Sequence, residues 1–334
     1  MAEIQNWYES GFTGCFVDVE GEPDFARQIA HQADFEFRAS CRNGYLAEDV
    51  MSGTPIVGSG KGKRSVLFQA TMKVHPSTLA GSQDYGNCTA WMTREMTGTL
   101  MAIAHLLGTA QHPSDRPGTA VVYGSRGHSS QGMALSTAMN VVHNRGIQLE
   151  QSYCDGRYDL STERADEAAG NSWGRSGPPS CILEAIRNDR VEQVSTVRDV
   201  DAAMDLLHSG YPIGTGSTLT GGSGDPICSL RRIGGHAQAC LGYDDTDEFR
   251  DWYREATGKR LTEAVFLMDQ SWGRWNSLSQ YPEHLWGPAC EGLWVITRSD
   301  FARIIGDWGN AYAISDLVGF PLREIPDWGS AEYL

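Results

Sequence analysis

Four polar side chains in this 334-residue chain have the types and the order needed for nucleophilic acyl transfer. Cys88 stands in Gln83-Asp84-Tyr85-Gly86-Asn87-Cys88-Thr89-Ala90-Trp91, directly before an apolar series, Met92, Met96, Leu100, Ile103 and Leu107, whose spacing predicts a buried helix face closed by Gly108. A cysteine at a helix N-terminus sits in the field of unpaired amides, so a lowered thiol pKa is expected. The nucleophile then needs a base, and the base needs an orienting group. Among nine histidines, His236 lies in Ile233-Gly234-Gly235-His236-Ala237, where glycines clear space ahead of a strand of small residues. Gln270, in Phe266-Leu267-Met268-Asp269-Gln270-Ser271-Trp272-Gly273, supplies an amide oxygen that can accept from imidazole, and Trp272 can cover that bond from water. Taken alone, a cysteine before a helix is more often a small core residue; the combination with Gln83, His236 and Gln270 points to chemistry.

The elements that must bring these groups together change in kind along the chain. Helical patterns run from Cys88 to about residue 107, from Gly132 to Asn144 and from about Val200 to His208. Strand patterns follow at 213–219, 237–243, 264–268 and 292–296. Helices first and strands after predict an α+β protein with its site in the crevice between the two halves. Residues 154–198, polar and rich in Gly and Pro, are expected to form a long surface excursion with one short helix around 182–188.

The motifs resemble those of the papain-like cysteine peptidases. Gln83 with Gly86-Asn87-Cys88-Thr89-Ala90-Trp91 is similar to the family's Gln and Cys region, Gly235-His236-Ala237 to its histidine motif, and Gln270-Ser271-Trp272-Gly273 to its Asn-Ser-Trp-Gly. The resemblance covers roughly residues 75–298 and includes the helix and turn at 132–153 and Cys290-Glu291-Gly292-Leu293-Trp294. It implies a two-lobed α+β fold, a helical lobe carrying Cys88 followed by an antiparallel lobe carrying His236 and Gln270. It also implies hydrolysis of peptide or isopeptide bonds through a thioester, with Cys88 as nucleophile, His236 as base, Gln270 as orienter and Gln83 with the Cys88 amide as oxyanion hole. Trp272, Ser271 and Gly235 would support them. Peptides or proteins are the implied substrates, and no cofactor and no metal are implied. The chain differs from the family in having Gln270 in place of Asn, one residue fewer between Gln83 and Cys88, and an expanded segment between His236 and Gln270. Gln270 keeps open the alternative of a papain-fold scaffold or interaction module without turnover, such as a part of a phage virion. Asn171-Ser172-Trp173-Gly174 matches the family's motif letter for letter but precedes His236, and chain order favours Gln270.

The division expected is an extension over 1–75, a peptidase domain over 76–300 and a C-terminal tail over 301–334. The extension lacks the sustained helical period of the family's inhibitory prosegment, so autocleavage is not expected; instead it is expected, with Trp7, Tyr8 and the 53–64 loop, to pack on the body or contact a protein partner. A net charge of −15 argues against nucleic acid as a partner, since phosphate binding needs clustered Lys and Arg. The start MAEIQNWYES lacks a secretion signal and no apolar stretch is long enough to span a membrane, so a cytoplasmic location is expected, with a virion or other assembly also compatible. Eight cysteines without a CxxC pair give no zinc spacing and no dense disulfide framework, and reduced thiols are expected. The acidic run Asp244 to Glu248 lacks the pattern of a calcium loop, and neither G-x-S-x-G nor a P-loop is present.

Overall fold

A computed structural model of the chain describes residues 15–16, 58–75, 79, 81–107, 116–197, 199–273, 279–290, 292–308 and 311–317. In chain order the elements begin with β1 (Cys15–Phe16), β2 (Arg64–Ser65), α1 (Phe68–Val74), α2 (Cys88–Leu106), α3 (Ala120–Gly124), β3 (Met133–Ala134) and α4 (Leu135–Asn144). Then follow β4 (Ser152–Tyr153), β5 (Tyr158–Asp159), α5 (Glu163–Trp173), α6 (Ser180–Ile186), β6 (Val191–Thr196) and α7 (Val200–His208). The second half holds β7 (Ile213–Gly221), β8 (Leu230–Asp244), α8 (Asp247–Thr257), β9 (Val265–Asp269), α9 (Glu283–Trp286), β10 (Trp294–Thr297), α10 (Arg298–Trp308) and β11 (Ala311–Leu317).

The main sheet runs β10-β9-β8-β7-β11-β6, with β2 paired to the end of β8. All of its pairs are antiparallel. Both faces are covered, and the strand residues sort accordingly. Ala237, Ala239, Leu241, Val265, Leu267 and Val295 join the core beneath α2. Cys240, Phe266, Met268, Trp294 and Ile296 point the other way, into a second core with α7 and α10 residues such as Leu206 and Phe301. A sheet buried on both sides reads as continuous apolar runs rather than alternation. On the α2 side the strand residues opposite the helix are small, Ala237 and Ala239, which lets Cys88 and its helix lie close to β8.

The α+β class and the order of the site-bearing elements follow the expectation, with several differences of detail. The excursion at 154–198 holds α5, α6 and β6 rather than one short helix. Helix α5 was illegible because its inward face is acidic: Asp166 and Glu167 are buried where an amphipathic pattern requires apolar residues. Cys154 and Cys181 form a disulfide across this excursion, 27 residues apart. This corrects the expectation of reduced thiols throughout, since a spacing that long carries no local motif. Cys15, Cys88, Cys228, Cys240 and Cys290 remain thiols. The segment expected as a tail supplies β11, which lies between β7 and β6 in the sheet. Within residues 1–75, β2 pairs with β8 and the buried carboxylate of Asp205 accepts from the amides of Gly58 and Gly60 at 2.7 Å each. Trp7, Tyr8 and residues 53–57 of the expected contact surface lie outside the described residues.

Between α2 and the sheet, two carboxyl groups are enclosed. Among the described residues Glu95 has no hydrogen-bond partner on either oxygen, and Asp269 uses one oxygen to accept from the Gln270 amide at 2.9 Å. Burial raises Glu95 well above the usual carboxylate range, reinforced by Asp269 and opposed by Arg94. Burial also raises Asp269, to about 7. Acids raised in the folded state stabilise it fully below their unfolded pKa near 4 and lose that contribution as pH climbs toward the folded value. Glu95→Gln is therefore expected to raise stability at pH 8 by on the order of 1 kcal/mol relative to wild type, with no gain at pH 4, measured by urea unfolding at both pH values.

Candidate active site

Strand β8 positions His236 through its pairing on both sides. Ser217 of β7 lies opposite His236, and Ala239, three residues on, lies opposite Asp269 at the end of β9. That register carries Gln270 to the imidazole: Nε2 of His236 and Oε1 of Gln270 are 3.0 Å apart. An amide oxygen only accepts, so the ring holds its proton on Nε2 and leaves Nδ1 as the basic nitrogen. Nδ1 is buried and has no hydrogen-bond partner among the described residues. Trp272 stacks on the imidazole, ring centroids 4.3 Å apart and 18° between planes. The extra methylene of glutamine relative to asparagine is accommodated, and Thr220 Oγ1 helps to hold Oε1 by donating at 3.3 Å. The single proton of that hydroxyl is shared with Gln238 Oε1, the nearer acceptor at 2.8 Å.

Helix α2 brings Cys88 to the same place. Its Sγ accepts from the backbone N–H of Ala237, the residue after His236, at 3.4 Å. Asn87 precedes the helix without capping it by its side chain. The turn at 81–83 is laced to the segment after β9: the Gln83 amide donates to Ser271 O at 2.9 Å and the Gly273 amide to Gly81 O at 2.8 Å. The side chain of Gln83 is engaged there as well, accepting from Ser271 Oγ at 2.5 Å and donating to Tyr85 O at 2.8 Å. Cys88, His236, Gln270, Gln83, Ser271 and Trp272 thus lie in one connected cluster. Asn171 does not reach the imidazole; its Oδ1 accepts from Gln131 Nε2 at 3.2 Å within the helical lobe.

The expected low thiol pKa is overturned. Cys88 is fully buried, and that burial pushes the thiol up to about 12 despite amide donors from Ala237, Thr89 and its own backbone. The rise from 9.0 corresponds to about 4 kcal/mol against the thiolate. A helix terminus typically returns only about 0.3–1 kcal/mol. Burial also pushes His236 down to about 3, against the opposing Gln270 hydrogen bond. Burial thus disfavours both the thiolate of Cys88 and the imidazolium of His236.

Strand β1 contributes to the enclosure. Cys15 and Phe16 run parallel to Met133 and Ala134. Thr89, next to Cys88, donates its hydroxyl to Met133 O at 3.1 Å. On the other side, the Cys15 carbonyl lies so close to Gly235 that a Cβ there would come within 1.9 Å of it. Only glycine allows this approach, so the N-terminal segment passes between the neighbours of Cys88 and the neighbour of His236. Two paired residues suffice for the crossing, and no long helical period is needed to announce it.

The buried groups around the site that sequence reasoning missed are Thr220, Gln238, Glu95, Asp269 and Glu167. Asp269 was adjacent to a motif, and the others carried no spacing signal. Among the described residues no group of His, Cys, Asp and Glu has the arrangement to hold a metal ion, and no helix is long and apolar enough to cross a membrane.

No protein-family model and no curated protein matches the chain. Solved structures do. Xylellain, a cysteine protease from Xylella fastidiosa, is 19% identical, with 82% of this chain and 93% of that chain covered and a TM-score of 0.52. Procathepsin B S9 from Trypanosoma congolense is 11% identical, covering 92% of this chain and 87% of that one at a TM-score of 0.47. Digestive procathepsin L 3 of Tenebrio molitor larval midgut is 13% identical, covering 94% and 99% respectively at 0.39. The likeness to xylellain shows the fold: this chain has a papain-like α+β fold.

If β1 holds the site closed, its removal uncovers the thiol. A chain lacking residues 1–20 is expected to be alkylated at Cys88 by iodoacetamide at pH 8 at least about tenfold faster than the full chain, read by peptide mass spectrometry, while Cys240 in the second core stays unmodified in both.

Proposed function

We propose that this chain is a cysteine peptidase that hydrolyses peptide or isopeptide bonds through a thioester on Cys88. The observation that carries the reading is the state of His236: Nε2 committed to Gln270, Nδ1 without a partner among the described residues, and the Cys88 sulfur 3.4 Å from the amide of the very next residue. In the opened site, Nδ1 takes the thiol proton and Sγ attacks the substrate carbonyl carbon. The imidazolium returns that proton to the departing amine as the C–N bond breaks, leaving a thioester. Water, deprotonated by Nδ1, attacks the thioester, and the thiol leaves with the proton. Gln83 and the Cys88 amide are the donors to the oxyanion, a role for which Gln83 Nε2 must turn from the Tyr85 carbonyl. Substrates are peptides or proteins. The disulfide supports an oxidising setting rather than the reducing cytoplasm suggested by the sequence.

Complete burial of both Cys88 and His236 favours a second reading, a scaffold that keeps the fold without turnover. Hydrolysis of casein separates the two. The chain lacking residues 1–20 is expected to cleave casein, with kcat/KM reduced at least about 1,000-fold in Cys88→Ala and His236→Ala and about 10- to 100-fold in Gln270→Ala. Cleavage that is absent, or unchanged in Cys88→Ala, sustains the scaffold.

A further inference from the structure

Helix α5 belongs to the excursion that carries no motif of the catalytic cluster, yet its acidic face reaches the turn that precedes Cys88. Glu167 is 2% exposed. Its Oε1 accepts from Asn87 Nδ2 at 2.7 Å and from the Trp91 indole Nε1 at 2.6 Å. The Asp84 amide donates to both of its oxygens, at 3.3 and 3.2 Å. These donors bracket Cys88 on either side: Asn87 is the residue before it, and Trp91 lies one turn into α2. Trp91 in turn packs on the backbone of the turn, since a Cβ on Gly81 would fall 1.8 Å from its ring. One helical turn beyond Glu167, Asn171 holds Gln131 at 3.2 Å, and Gln131 Oε1 accepts from the Gly86 amide at 2.7 Å. Residues 167 and 171 of α5 therefore grip the same turn, one directly and one through Gln131.

We propose that Glu167 is a positioning residue whose buried carboxylate clamps the 84–87 turn and the first turn of α2, and with them the amides around Cys88, to α5. Its functional meaning rests on the reading of Cys88 as nucleophile. The clamp itself does not.

The carboxylate is poised to change strength near neutral pH. Burial raises Glu167 to about 7, against the hydrogen bonds from Asn87, Trp91 and the Asp84 amide, with the Asp84 charge adding to the rise. Tyr123 feels the Glu167 charge, and it also feels those of Arg126 and Cys88; Asp166 is beside Glu167 on α5, and Arg94 stacks over the Trp91 ring at 4.4 Å. Hydrogen bonds to an ionised carboxylate are roughly twice as strong as those to its neutral form. As pH falls through this range the grip on Asn87 and Trp91 weakens.

The test uses the full chain and needs no substrate. In wild type, the indole N–H resonance of Trp91 is expected to titrate with a midpoint near pH 7. Alkylation of Cys88 by iodoacetamide is expected to be at least about fivefold faster in Glu167→Gln than in wild type at pH 8, with the ratio falling toward one at pH 5.5 where the wild-type carboxyl is also neutral. Thr162→Ala, which removes the N-cap of α5 where Thr162 accepts from the Ala165 amide at 3.3 Å, is the structural control; its ratio to wild type should not vary with pH. A Trp91 resonance that does not titrate, or a Glu167→Gln ratio that is constant with pH, overturns the proposal. The wild-type titration decides the matter alone if Glu167→Gln fails to fold. Both results as expected in a chain that cleaves no peptide would reject the peptidase reading and leave the clamp standing.

Discussion

The site depends on one hydrogen bond, that from His236 Nε2 to Gln270 Oε1. It selects the tautomer, fixes the ring plane against Trp272 and leaves Nδ1 as the free basic nitrogen. Everything that makes it possible is a property of the sheet. The pairing of β8 with β9 brings the start of the Gln270-Ser271-Trp272 segment beside the histidine strand, and Thr220 on β7 supports the acceptor from the other side. The small residues that follow His236 on β8 then let α2 come close enough for the Cys88 sulfur to meet the Ala237 amide. The longer glutamine satisfies the bond but leaves its own Nε2 buried without a partner among the described residues. A buried amide donor left unpaired costs about 1–3 kcal/mol, a cost borne at the site rather than elsewhere in the fold.

Enclosure and chemistry oppose one another in this state. The burial that shields the His236 to Gln270 bond also removes the solvation that a thiolate and an imidazolium need. A helix N-terminus cannot offset a desolvation several times larger than its own field. Strand β1, wedged between Met133 and Gly235, is part of that enclosure. Burial to this degree disfavours a thiolate–imidazolium pair, and solvent access would restore it.

What was legible in the sequence was what local chemistry or period encodes. The helix from Cys88, the histidine strand, and the Gln270-Ser271-Trp272-Gly273 turn could be read because each couples a reactive residue to a recognisable element. The α5 helix could not, because Asp166 and Glu167 replace the apolar stripe by which a buried face announces itself. The roles of Thr220 and Gln238 depend on strand register, which single residues do not encode. The direction of the Cys88 shift escapes a local reading for a related reason: the helix terminus is visible in the sequence, while burial is a property of the whole fold. Asn171, the letter-perfect decoy, turned out to tie Gln131 within the helical lobe.

The most direct test of Cys88 as a nucleophile driven by His236 is acid-quench mass spectrometry of the chain lacking residues 1–20 after brief exposure to a peptide p-nitrophenyl ester at pH 6. A burst of about one p-nitrophenol per chain is expected, with the acyl mass on the peptide containing Cys88, lost in Cys88→Ala and slowed at least about 100-fold in His236→Ala. No burst, or an equal burst without the imidazole, would contradict this assignment.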